Sequence, residues 1–175
     1  MIMIEDSVIL VDDSDNQIGL MPKTEAHKKA LLHRAISVFI CNTKGEWLLQ
    51  RRALDKYHSG GLWTNSCCSH PLPNETSIEA ANRRLMQEMG MKCSLNEIFS
   101  FTYIEPLDNE LTENEFDHVI VGVSDDAPIE NSKEVHEYKY IKYDELFNDI
   151  LLKPDDYTVW FRKIFERVHK HLSNH

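Results

Sequence analysis

Residues 35–41, Ala-Ile-Ser-Val-Phe-Ile-Cys, alternate only imperfectly and are rich in β-branched side chains. A strand of this kind has no face to give to solvent, so it must be covered on both sides. Residues 42–45 (Asn-Thr-Lys-Gly) then read as a turn, and residues 47–52 are expected to pair back as a hairpin. The strongest helical signal follows. Thr76 and Glu79 match a capping box, Ile78, Ala81, Leu85 and Met89 follow at helical spacing, and Gly90 is placed to end the helix in a left-handed turn.

The remaining elements are shorter. Residues 8–11 and 18–21 read as a hairpin about a polar turn, stopped by Pro22. Strands are expected at 99–103, 116–123 and 138–141, and a short helix at 144–151. A longer helix is expected to begin at Pro154-Asp155-Asp156, with acids in its first turn and Phe161, Phe165, Val168 and Leu172 as its packing stripe. Trp160 sits beside that stripe, as core or as the wall of a site.

At 175 residues the chain is expected to be one domain, spanning 1–175, with no repeat or low-complexity segment. Its net charge of −10 argues against nucleic acid or an anionic membrane as partner, while leaving room for a local basic pocket. The first ten residues have no basic region and turn acidic at Glu5-Asp6, unlike an export leader. No apolar run approaches the roughly 20 residues of a membrane span. The four cysteines are therefore expected to be reduced, in the cytoplasm.

Chemistry concentrates in residues 63–71, Trp-Thr-Asn-Ser-Cys-Cys-Ser-His-Pro, which place a thiol pair, hydroxyls and an imidazole together. Alone, this suggests a redox pair, a zinc knuckle or a cysteine–histidine nucleophile. Glu113 and Glu115, two apart on an extended segment, point to one side. Two such carboxylates repel unless a cation lies between them or one is protonated. With His27, His33 and His70 they would make a three-histidine, two-carboxylate site for a divalent metal; the plain alternatives are solvated imidazoles on a polar helix and a solvated strand edge. Arg51 and Arg52 end a strand, whose alternation sends one of them inward, and Lys56 follows. Arg84 and Glu88, one helical turn apart, form either a surface ion pair or a pair aimed into a site.

These motifs, in order and spacing from about Lys23 to Trp160, resemble the type 1 isopentenyl-diphosphate isomerase family. The resemblance rests on residues 32–39, 50–53, 62–71, 83–85 and 88–90 and on Glu113-Asn114-Glu115. It implies an α/β fold, a Nudix-like α/β/α sandwich with a mixed sheet, and metal-dependent interconversion of isopentenyl and dimethylallyl diphosphate. Carried over by position, Cys68 is the catalytic thiol and Glu115 the catalytic carboxylate, with Tyr103 and Trp160 around the hydrocarbon. His27, His33, His70, Glu113 and Glu115 hold one divalent metal (Mn2+, Zn2+ or Mg2+). Glu88 and the main-chain oxygen of Cys68 hold a Mg2+ that binds the diphosphate. Lys23, Arg52, Lys56 and Arg84 contact the diphosphate, and Ser69 stands at the substrate where the family pattern has glycine. The expected partner is a small isoprenoid diphosphate, and a monomer is expected, with a dimer as the alternative.

The rival reading is a Nudix pyrophosphohydrolase, whose helix carries the pattern Arg-Glu-x-x-Glu-Glu. Here two of those glutamates are Arg84 and Gln87, and only Glu88 remains. A zinc-stabilised binding module is a third reading, disfavoured because adjacent Cys67 and Cys68 are poorly placed to ligate one tetrahedral metal.

Overall fold

The computed structural model describes residues 7–174. The reading of the first ten residues as unlike an export leader falls largely outside them, on residues 1–6. Strands β1 (Ser7–Val11) and β2 (Gln17–Pro22) form the first hairpin, and α1 (Lys23–Lys28) starts directly after Pro22. Strands β3 (His33–Cys41), β4 (Glu46–Arg52), β5 (Trp63–Thr64) and β6 (Cys67–Ser69) precede helix α2 (Ser77–Met89). Long strands β7 (Leu95–Pro106) and β8 (Thr112–Val123), then β9 (Val135–Lys142), lead to α3 (Tyr143–Leu152) and α4 (Val159–Ser173).

The sheet is mixed because β3 runs parallel to β8 and antiparallel to β1 and β6. The expected β3–β4 hairpin pairs only at its base, Ile40 with Leu48 and Cys41 with Trp47. Beyond those rungs β4 pairs with β9 and β5, while β3 pairs with β8 and β6. The two strands thus part, and most of the candidate site residues line the cavity in the cleft between them.

Strand alternation assigns the two cores. Ile36, Val38, Ile40 and Leu48 pack beneath Ala81, Leu85 and Met89 of α2. Phe39, Leu49 and Val119 pack on the other side against Leu146 of α3 and Phe161 and Phe165 of α4. Burial of side chains this size contributes about 1.5–3 kcal/mol each. The helix-on-both-faces arrangement expected of an α/β/α sandwich is what this alternation builds. Helix α2 carries the full capping box, and Gly90 ends it at φ 62°, where a Cβ would lie 2.8 Å from the carbonyl oxygen of Ile129.

One helix begins later than its sequence suggests. Pro154–Asp156 forms a separate 3₁₀ turn, and Tyr157 is extended, so the acids of that turn do not cap α4. The cause is tertiary. Tyr157 is buried and bridges Trp63, while the Thr158 amide donates to the Trp63 carbonyl at 2.9 Å and its hydroxyl to Thr64 Oγ1 at 2.8 Å. A continuous helix would break those contacts. Trp160 resolves as both alternatives, since it is 4% exposed within the aromatic core and also lines the cavity.

Candidate active site

Strand register brings the site together. On β8, Glu113, Glu115 and Asp117 share one buried face. Glu115 is the direct register partner of Tyr103 on β7 and of His33 on β3. On β6, Cys68 is the register partner of Ser37 on β3 and Ser69 that of Ile36. His27 comes from α1, which the β1–β2 hairpin holds beside β8.

The imidazoles are not solvated. His27 and His33 have no solvent exposure, and the backbone carbonyls of Lys23 and Leu31 accept from their Nδ1 atoms at 2.7 and 2.8 Å. Since a carbonyl can only accept, both rings carry the proton on Nδ1 and turn an Nε2 lone pair inward. His27 Nε2 stands 3.2 Å from Glu113 Oε2, His33 Nε2 3.6 Å from Glu115 Oε1, and His70 Nε2 3.0 Å from Glu115 Oε1. His27 Nε2, His33 Nε2 and Glu113 Oε2 are buried without a hydrogen-bond partner. Such atoms cost about 1–3 kcal/mol each, so three around one point indicate a missing ligand.

The donor set identifies its class. Ligand atoms of His27, His33, His70 and Glu115 lie within 4.8 Å of one another, as do those of His27, His58 and Glu113. Ligands about 2.1 Å from a common cation are separated by roughly 3 Å around an octahedron, which matches these contacts. Nitrogen and carboxylate oxygen donors fit a divalent metal ion.

Without a cation the two carboxylates titrate as a pair. Burial opposes charge on both, but the close imidazoles of His33 and His70, the latter in hydrogen-bond contact at 3.0 Å, override it and hold Glu115 well below the usual carboxylate range. Burial, reinforced by the Glu115 charge, pushes Glu113 well above that range. Glu115 also accepts from the Tyr103 hydroxyl, through Oε2 at 2.7 Å.

Cys68 faces the same cavity. Burial pushes its thiol up to about 12, against the opposing pull of Arg52, so the sulfur is protonated at neutral pH. Thr64 Oγ1 lies 3.7 Å from its Sγ. Cys67 points the other way, fully buried in the core beneath α2. The two thiols have separate environments, and all four cysteines are free.

Lys23, Arg52, Lys56 and Arg84 converge on the cavity with Glu88 and Glu134. Arg52 turns inward while Arg51 turns out to Glu137 at 2.9 Å, as strand alternation requires. Burial lowers the affinity of Lys23 for its proton, and the charges of Lys56, Arg84 and Arg52 lower it further. A cluster of cations that disfavours its own charging is suited to an anion. Lys56 is paired with Glu134. Arg84 and Glu88 are both an ion pair, at 2.6 Å, and members of the cavity wall. Gln50 donates to the second Glu88 oxygen at 2.8 Å. Ser69 lines the cavity beside His70.

The site residues carried over from the family resemblance are therefore brought to one place, while Cys67 and Arg51 turn away from it. Among the neighbours missed are Asp117, His58, Glu134 and Tyr57. Asp117 continues the spacing of Glu113 and Glu115 and was legible there. His58 and Glu134 lie in irregular segments, where no periodicity tells which side chain turns inward.

Residues 31–167 match the NUDIX domain family. An isopentenyl-diphosphate Delta-isomerase of Pectobacterium atrosepticum is 50% identical over 161 residues, covering 92% of this chain and 90% of that protein. Isopentenyl-diphosphate Delta-isomerase 2 of Aromatoleum aromaticum is 48% identical over 164 residues, covering 94% and 87%. Among solved structures, a Deinococcus radiodurans protein superimposes with a TM-score of 0.69 at 21% identity, over 83% of this chain and 89% of that one, a likeness of fold. The shared length and identity, together with the single cavity that gathers thiol, carboxylates, imidazoles and cations, place this chain in the isopentenyl-diphosphate Delta-isomerase family, built on a NUDIX domain.

Proposed function

We propose that this protein interconverts isopentenyl diphosphate and dimethylallyl diphosphate by a proton shift across the allylic carbons. One observation carries the reading: a protonated thiol, Cys68, and a carboxylate, Glu115, line one cavity walled by Trp160 and Tyr103, with four cations at hand. Moving a double bond one place requires a proton added at one carbon and another removed elsewhere. Glu115 with its Tyr103 partner serves one of those two carbons and Cys68 the other.

Protonating an unactivated alkene develops a tertiary carbocation, which water would trap. Trp160 offers a π face that stabilises such charge by about 2 kcal/mol or more when desolvated. Lys23, Arg52, Lys56 and Arg84 hold the diphosphate, and binding energy realised there orients the remote alkene. His27, His33, His70, Glu113 and Glu115 would hold a divalent ion, Mn2+, Zn2+ or Mg2+, whose charge compensates the paired carboxylates. Glu88 and the main-chain oxygen of Cys68 would hold a Mg2+, whose charge would favour binding of the diphosphate. Nothing in the site favours hydrolysis, because Arg84 and Gln87 stand where that chemistry wants glutamates. The acidic net charge supports a monomeric small-molecule enzyme without nucleic acid or anionic membrane as partner, and its four free cysteines accord with the cytoplasm. No helix of the described residues is long and apolar enough to cross a membrane.

Turnover in deuterated water tests the proposal. Solvent deuterium is expected in the five-carbon skeleton of recovered substrate and product; unlabelled carbon skeletons after equilibration, or released phosphate in their place, would overturn it.

A further inference from the structure

We infer that His58 is a ligand of the divalent centre, a fourth imidazole completing a six-donor shell. This rests on the metal site proposed above and extends it. His58 is 6% exposed, although it lies in the loop between β4 and β5. Its Nε2 stands 3.6 Å from Glu113 Oε1, too far for a hydrogen bond, while the other Glu113 oxygen faces His27 Nε2 at 3.2 Å. Ligand atoms of His27, His58 and Glu113 lie mutually within 4.8 Å, as in the set centred on Glu115. His27 has one inward lone pair, because its Nδ1 is committed to the Lys23 carbonyl, so it cannot serve two ions. The two sets share only His27, so a single ion at its Nε2 would draw on both through small shifts of the side chains. Their members are His27, His33, His58, His70, Glu113 and Glu115, the number of donors an octahedral divalent ion accepts.

The loop is built to deliver this ring. His58 Nδ1 lies 3.2 Å from Ser59 Oγ, leaving Nε2 as the nitrogen that faces Glu113. Arg52 Nη2 donates to the His58 carbonyl at 3.3 Å and fixes its backbone. Ser59 holds φ 51°, a left-handed conformation costly for a residue with a Cβ. At Gly60 a Cβ would lie 2.7 Å from the Leu54 carbonyl, so a side chain there would force the loop outward.

A ring of six protein donors leaves no position for water, which gives a readout independent of turnover. The metal-free protein would be given less than one Mn2+ per chain, and bound Mn2+ followed by electron paramagnetic resonance and water-proton relaxation. Wild type is expected to bind Mn2+ with the low relaxivity of an ion lacking inner-sphere water. His58→Ala is expected to weaken binding at least tenfold, as loss of a ligand or its support does, and to raise relaxivity per bound ion as water enters. His58→Gln, whose amide oxygen can ligate, should fall between them. Unchanged affinity and relaxivity in folded His58→Ala would overturn the role of His58 alone. High relaxivity in wild type would overturn it without any variant, and failure of wild type to bind Mn2+ would overturn the metal centre itself.

Discussion

Tyr103 and His33 flank Glu115 from opposite sides as its register partners, one on β7 and one on β3. The three side chains form a row across three strands, and Tyr103 donates to Glu115 Oε2 at 2.7 Å while His33 Nε2 faces Oε1 at 3.6 Å. The carboxylate is thus oriented by the sheet itself rather than by a loop. Tyr103→Phe removes one hydroxyl and leaves the register intact. It is expected to lower kcat by about 10²-fold, at the low end of the range for a proton-transfer group, with little change in KM. Steady-state kinetics beside a far-ultraviolet circular dichroism spectrum checks it, and an unchanged kcat with a raised KM would assign Tyr103 to substrate binding.

Glu113 sits where a carboxylate is disfavoured, being buried and beside the charge of Glu115. Its role is better served by a cation than by the empty protein. Glu113→Gln is expected to stabilise the metal-free protein by about 1–2 kcal/mol, as removal of a desolvated acid beside a like charge does, and to abolish divalent binding. Urea unfolding with and without Mn2+ measures both effects. A less stable metal-free variant would mean that contacts of Glu113 with His27 and His58 outweigh its desolvation.

Burial, the largest influence on both, lowers His58 and His70 to about 3 from the ordinary value near 6.5. Between those values the unfolded chain takes up protons that the folded chain excludes. The stability contributed by the neutral rings is therefore complete above about pH 6.5 and lost as pH falls towards 3, with a slope of up to roughly 1.4 kcal/mol per pH unit for each ring. In metal-free protein between pH 6 and 4, His58→Gln should flatten the decline by up to one ring's share. Parallel slopes for wild type and variant would show that His58 is not held neutral in the fold.

The adjacent thiols should separate under mutation. Cys68→Ala is expected to reduce turnover by at least 10²–10⁴-fold, the contribution of a positioned proton-transfer group. Cys67→Ala should keep its activity and lose about 1 kcal/mol of stability, because its sulfur fills space in the core beneath α2. Thermal unfolding and an isomerisation assay on both variants decide between a thiol pair and a single working thiol. Inactive but folded Cys67→Ala would restore the pair.

Local patterns made much of this molecule legible in advance. The capping box at Thr76, the stop at Gly90, the doubly covered β3 and the alternation that turns Arg52 inward all depend on near neighbours in the chain. The adjacency of Cys67 and Cys68 on a strand already sends them to opposite faces, and the spacing of Glu113 and Glu115 already sends those together.

Tertiary structure alone decided the rest. That Glu115 answers His33 follows from the parallel register of β3 on β8, and that His70 joins it while Glu113 answers His27 and His58 follows from how β6, α1 and the β4–β5 loop pack there, long-range pairings that no local period encodes. The late start of α4 has the same origin, in the bridge between Trp63 and Tyr157. His58 was invisible in the sequence because a loop residue has no repeating geometry to announce its direction, and its approach to Glu113 exists only in the folded chain. Short-range sterics and hydrogen bonding write the elements; which distant side chains share a point is settled only when the whole sheet closes on its core.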